Sequence, residues 1–168
     1  MEDKFSFIVN GKTIVTTEDV NLLDFLRDDL GLISVKDGCK EGACGTCTIL
    51  VDGKAMKSCI FTTKKVAGKE ITTIEGFTER EKEVFAYAFT ECGAVQCGFC
   101  IPGMVVAAKA LFLRTLDPTS DEVKKALVGN ICRCTGYVKI EQAIMLAAKL
   151  FRENKPVPHR AVSYTHLR

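Results

Sequence analysis

The amino-acid sequence predicts an α+β protein in two parts. A small mixed sheet with one packed helix fills residues 1–77, and an all-α bundle of four helices follows over residues 78–155. Three observations carry this reading. Short alternating segments flank Asn10-Gly11 and again Asp52-Gly53, dipeptides that close tight hairpins. Two Thr-x-x-Glu boxes, Thr78–Glu81 and Thr119–Glu122, open stretches with helical spacing of apolar residues. The cysteines fall into two groups separated by the gap from Cys59 to Cys92, one group in each part.

Each element has its own cause. Phe5–Val9 and Thr13–Thr16 pair across Asn10-Gly11, which tolerates the positive φ angles of a type I′ turn. Leu22, Leu23, Phe25, Leu26 and Leu30 follow helical spacing, and Gly31 stands where such a helix stops. Thr48–Val51 and Lys54–Cys59 form the second hairpin, and Ile71–Ile74 reads as one more strand. From Thr78 a helix runs through Val84, Phe85, Tyr87 and Phe89. Pro102 suits the first turn of the next helix, which extends to about Leu113. Thr119 opens a short helix ending at Gly129. The last helix runs from Tyr137 to about Arg152, with Ile140, Ile144, Ala147, Ala148 and Phe151 on one face. Residues 156–168 show no periodicity and read as a tail, whether disordered, a linker or non-native.

Composition narrows the function classes. Of 168 residues, 47% are hydrophobic and 26% charged, which suits a globular chain and excludes global disorder. The net charge is +2 with interspersed signs, and the pairs Lys64-Lys65 and Lys124-Lys125 make no nucleic-acid footprint. No apolar run reaches the ~20 residues of a membrane span. The start, Met-Glu-Asp-Lys, lacks the form of an export signal, so a cytoplasmic location is expected. Nine cysteines, an odd number, fit a disulfide framework badly in that setting and suit reduced thiols that hold metal.

The first group is C-x4-C-x2-C, at Cys39, Cys44 and Cys47, with Cys59 after eleven intervening residues. That opening spacing is the plant-type [2Fe–2S] pattern. Gly38, Gly42 and Gly45 crowd it, as a loop aiming several N–H groups at sulfur requires. The second group is C-x2-C-x31-C-x-C, from Cys97 and Cys100 to Cys132 and Cys134. Each pair precedes a bundle helix. If the two helix starts meet, four thiolates face two N-termini whose free N–H groups favour an anion. A Rieske centre would need two histidines near the cysteines, and His159 and His166 both lie in the tail. Cys92 is left over and reads as a small buried hydrophobe.

The whole pattern resembles the small iron–sulfur subunit, or N-terminal iron–sulfur region, of the molybdenum hydroxylases, the xanthine dehydrogenase and aldehyde oxidase family. It lies nearest the xanthine dehydrogenase branch. The resemblance rests on Gly38-Cys39, Glu41-Gly42, Cys44-Gly45, Cys47 and Cys59, on Gln96–Cys100 with Pro102-Gly103, and on Gly129–Tyr137. It covers about Phe5 to Glu153. Ile101 departs from the threonine that many relatives carry before Pro-Gly.

The resemblance implies a β-grasp ferredoxin-like domain followed by a four-helix [2Fe–2S]-binding domain. It implies one cluster on Cys39, Cys44, Cys47 and Cys59 and a second on Cys97, Cys100, Cys132 and Cys134. Electrons would pass from a molybdenum–pterin centre on a catalytic partner to the bundle cluster, then the ferredoxin-domain cluster, then FAD on another subunit or domain. Gln96 and Cys134 would lie on the pterin side, and Lys40, Glu41 and Ala43 toward the acceptor. Catalysis on a carbon substrate is not expected of this chain: it has no Gly-x-Gly-x-x-Gly, P-loop or Gly-x-Ser-x-Gly motif. Two other readings stand beside this one, a free-standing ferredoxin-type carrier and a zinc-stabilised interaction module.

Overall fold

The computed structural model describes residues 4–158. It contains a five-stranded sheet built from β1 (Phe5–Val9), β2 (Lys12–Thr16), β3 (Thr48–Val51), β4 (Lys54–Lys57) and β5 (Glu70–Thr72). The strand order is β2-β1-β5-β3-β4. The last strand enters the centre of the sheet, parallel to β1 and antiparallel to β3. Both hairpin turns form where the sequence predicts them. Asn10 and Gly11 have φ of 51° and 79°, and Asp52 and Gly53 have 49° and 76°, the doubly positive geometry of type I′ turns.

The predicted helix over Leu22–Leu30 is present in altered form. One α-helical turn, α1 (Leu22–Asp24), capped by the Asn21 side chain, continues as a π-helix over Phe25–Asp29. The wide turn is visible in the Leu30 N–H, which reaches back to the Phe25 carbonyl at 3.2 Å. Leu22, Leu23, Phe25 and Leu26 remain buried against Phe7, Ile49 and Ile71 of the sheet. The second hairpin is shorter than predicted. After Lys57 the chain enters a 3-10 turn, Ser58–Ile60, that carries Cys59 inward, and the Ser58 hydroxyl donates to the Cys47 carbonyl at 3.0 Å. The predicted strand Ile71–Ile74 sits slightly earlier, because Ile74–Gly76 turns into a 3-10 helix leading out of the sheet.

Four helices follow: α2 (Glu79–Glu91), α3 (Ile101–Phe112), α4 (Ser120–Ala126) and α5 (Val138–Glu153). Both capping boxes close, Thr78 with Glu81 and Thr119 with Glu122. Helix α4 ends at Ala126, before Gly129, because the chain must straighten to deliver residues 129–131 to the sheet domain. The bundle core is apolar, with Phe85 stacked on Phe112 at a 5.6 Å centroid distance and Phe151 edge-on to both. Leu50 of β3 packs into this helical core, so the two parts are joined by burial as well as by the chain. The tail expected from residue 156 lies outside the described residues from 159 onward.

Candidate metal centres

The first group of cysteines gathers where the Cys39–Cys47 loop meets the turn after β4. The Cys39 thiol interacts with Cys44, and Cys59 with Cys47. Backbone N–H groups aim at the sulfurs. Glu41 and Cys44 each donate to Cys39 Sγ at 3.4 Å, and Gly42 donates to Cys59 Sγ at 3.2 Å. The Thr46 hydroxyl lies 3.2 Å from Cys44 Sγ. Glycine is required at 38, where a Cβ would sit 2.6 Å from Thr46 Oγ1 and 2.9 Å from Cys44 Sγ.

The second group forms where the starts of α3 and α5 come together. Cys134 Sγ lies 3.6 Å from Cys97 Sγ, and Cys100 is in contact with Cys132. Cys97 and Cys134 are exposed, whereas Cys100 and Cys132 are buried. The loop after Cys132 folds over its sulfur. The Thr135 hydroxyl lies 3.1 Å from Cys132 Sγ, and the Cys132 N–H donates to the Tyr137 hydroxyl at 2.9 Å. Tyr137 holds this clasp with a positive φ of 71°. Gln96 is exposed beside Cys97, as are Lys40, Glu41 and Ala43 on the first loop. Cys92 is half-buried at the end of α2, packed against the bundle core.

In both groups the contacts are pairwise. Among the described residues, no group of three Cys, His, Asp or Glu side chains is placed to hold a single metal ion. The electrostatics also ask for a cation. N–H donation from Cys44 and Glu41 holds the Cys39 thiol down to about 7, while burial pushes Cys59 up to about 11 and Cys100 up to about 12. Burial also acts upward on Cys132, but the Thr135 hydroxyl and N–H outweigh it and hold that thiol below its ordinary value. The thiols that burial raises, Cys59 in one group and Cys100 in the other, ionise only where a cation offsets that cost.

One seam joins the two groups. The Ile131 N–H donates to the Cys44 carbonyl at 2.8 Å, and Ile131 precedes Cys132. Asn130, buried, donates through Nδ2 to the Gly45 carbonyl at 3.0 Å and lies 3.3 Å from Thr48 Oγ1. Sequence reasoning missed the roles of Asn130, Thr46, Thr135 and Tyr137. Asn130, Thr135 and Tyr137 stand in the Gly129–Tyr137 motif, but only the packed loops give them partners.

A sheet domain and a helical domain, each presenting four paired thiols and joined through their cysteine loops, define a two-centre iron–sulfur electron-transfer protein. Comparison with known proteins agrees. The family described as "2Fe-2S iron-sulfur cluster binding domain" matches residues 7–73, and that described as "[2Fe-2S] binding domain" matches residues 73–145. The chain is 45% identical to the nicotinate dehydrogenase small FeS subunit of Eubacterium barkeri, over 82% of this chain and 88% of that one. It is 43% identical to the xanthine dehydrogenase iron-sulfur-binding subunit of Escherichia coli, over 74% and 79%. Among solved structures, quinoline 2-oxidoreductase from Pseudomonas putida 86 superposes with a TM-score of 0.81 at 38% identity, covering 92% of this chain and 98% of that one. The chain belongs to the iron–sulfur subunits of the molybdenum hydroxylases, and it is an electron-transfer component of an oxidoreductase. No helix among the described residues is long and apolar enough to cross a membrane.

Proposed function

We propose that Cys39, Cys44, Cys47 and Cys59 hold one [2Fe–2S] cluster, that Cys97, Cys100, Cys132 and Cys134 hold the other, and that the chain relays electrons from a molybdenum–pterin partner to FAD. Each cluster, when bound, supplies a centre that accepts and releases one electron at a time. The division of the chain into a ferredoxin-like part over 1–77 and a bundle over 78–155 belongs to the same reading. The observation that carries it is the hydrogen bond from Ile131 to Cys44, which runs from the residue before one cysteine of the bundle to a cysteine of the sheet domain.

The direction comes from the family resemblance, and exposure is in keeping with it. Cys97 and Cys134 lie at the surface beside Gln96, which suits receipt of electrons from a catalytic partner. Cys100 and Cys132 lie inward, toward the seam, and Cys44 lies across it. By the resemblance, Gln96 and Cys134 are proposed for the pterin side, and the exposed residues Lys40, Glu41 and Ala43 for the acceptor side. The named relatives act on nicotinate, xanthine and quinoline. All three are nitrogen heterocycles, while another relative, 40% identical, is an aldehyde oxidoreductase, so the partner's substrate is proposed to be a nitrogen heterocycle or an aldehyde. A cytoplasmic site of action belongs to the same reading, supported by nine cysteines, an odd number that fits a disulfide framework badly.

The test has two stages. Iron and acid-labile sulfide in the purified chain should number about four each, two per site; stoichiometric zinc in a colourless protein overturns the reading. In the assembled enzyme, Gln96→Ala should slow electron arrival at the bundle cluster, and Glu41→Lys should slow delivery to the acceptor, with both clusters retained. Swapped defects in stopped-flow reduction reverse the orientation.

A further inference from the structure

Lys57 ends β4, two residues before Cys59, and its half-buried ammonium turns inward over the Cys39–Cys47 loop. It donates to the Gly42 carbonyl at 2.5 Å and reaches the Ala43 carbonyl at 3.4 Å. Among the described residues no carboxylate pairs with it. An ammonium drawn out of water against two neutral carbonyls carries a desolvation cost that a nearby anion would offset.

The Ala43 carbonyl belongs to a peptide unit whose other end points at sulfur: it shares that peptide with the Cys44 N–H, which donates to Cys39 Sγ at 3.4 Å. The Gly42 carbonyl holds the ammonium in place beside it. A cation on the oxygen of a peptide polarises it and strengthens its N–H as a donor. The charge of Lys57 is thus relayed to Cys39 through the Ala43–Cys44 peptide. The same ammonium faces the bundle: a Cβ on Gly129 would lie 3.0 Å from Lys57 Nζ. Gly129 precedes Asn130 and Ile131, the residues that join the two domains.

We propose that Lys57 is a positioning residue that raises the reduction potential of the first centre and so draws electrons across the seam from the second. The inference rests on the reading of Cys39, Cys44, Cys47 and Cys59 as ligands. The step it favours moves one electron and no proton. The bundle centre is oxidised by one electron, and the first centre goes from a formal charge of about −2 to about −3, counting four thiolates, two sulfides and two irons. A fixed cation interacts more strongly with the more negative state, and hydrogen bonds to ligand sulfur act in the same sense.

The test is a potentiometric titration of the full cluster-bearing chain, followed by electron paramagnetic resonance. The two signals are assigned with Cys44→Ser and Cys100→Ser. Lys57→Met should reduce the equilibrium constant for one-electron reduction of the first centre about tenfold, equivalent to 59 mV. The second centre should shift by less than about threefold, because separation and solvent weaken the field. Lys57→Arg, which keeps the charge, should restore the wild-type midpoint. Midpoints unchanged in Lys57→Met with all iron retained overturn the proposal, as do equal shifts at both centres. If Lys57→Met sheds the first cluster, Lys57→Gln carries the measurement. Loss of the cluster in both, with Lys57→Arg intact, shows that the ammonium holds the loop, and tuning is overturned. Wild-type protein without iron overturns the ligand assignment instead.

Discussion

Gly103 of α3 and Gly45 of the first cysteine loop touch backbone to backbone: a Cβ on Gly103 would lie 2.3 Å from the Gly45 carbonyl oxygen. The two domains meet here backbone to backbone, with the Asn130 amide beside the contact, and this close approach lets Cys44, one residue from Gly45, reach Ile131.

Gly103→Ala therefore has an inverted effect. In a free helix the change to alanine stabilises by about 1 kcal/mol. In this chain it should destabilise by about 1–3 kcal/mol, because backbone on the far side cannot yield without parting the domains. Urea denaturation of the full chain reads the sign directly. A gain in stability would show that the contact is loose.

Asn130→Ala leaves the buried Gly45 carbonyl and Thr48 hydroxyl each one partner short. The expected cost is about 1–3 kcal/mol. Amide exchange at Ile131 should accelerate with it, while amides in α5 keep their protection.

Cys44→Ser and Cys100→Ser should each remove two irons of about four and loosen mainly their own domain. Cys92→Ala should leave iron, sulfide and visible spectrum unchanged, since Cys92 packs as a small apolar side chain against the bundle core. Loss of iron in Cys92→Ala would move the ligand assignment by one cysteine.

Acid should weaken the join between α2 and α3. Burial acts to raise the pKa of Glu81, but hydrogen bonding and charge from Lys109 and the Thr78 cap outweigh it and leave the carboxyl below its ordinary 4.5. A group depressed on folding contributes stability above its unfolded value, and that contribution disappears as pH falls through the folded value. Glu81→Gln should lower stability at neutral pH by about 1 kcal/mol. It should also flatten the decline below pH 4.5. An unchanged acid limb would remove Glu81 from the account.

The elements set by local chemistry were legible in the sequence. Asn10-Gly11 and Asp52-Gly53 fix their hairpins, and Thr78 and Thr119 their helix starts, through groups at most three residues apart. The π-helix was not legible. Leu22, Leu23, Phe25 and Leu26 present the same apolar face to an α-turn or a wider one, and the choice depends on where the Leu30 N–H finds its carbonyl. Lys54–Cys59 alternates well enough for a strand to its end, but Cys59 must turn inward to meet Cys47, so pairing stops at Lys57. The cysteine groups were readable from spacing alone. Lys57, Thr46 and Tyr137 were not, because nothing local marks a lysine in a strand or a tyrosine at a helix start as a partner of a distant loop.

The strand order carries a consequence for biogenesis. Because β5 is the central strand, the sheet stays open until residue 72 has been made, well after the last of its four cysteines at 59. The seam closes only when Asn130 arrives, 85 residues after its partner Gly45. At about 5–20 residues per second on the ribosome, the interval between the two events is roughly 3–12 s. During that time the nascent sheet domain stands alone with the Cys44 and Gly45 carbonyls uncovered. The first cysteine loop is open on that side throughout the window, and the bundle covers it on arrival.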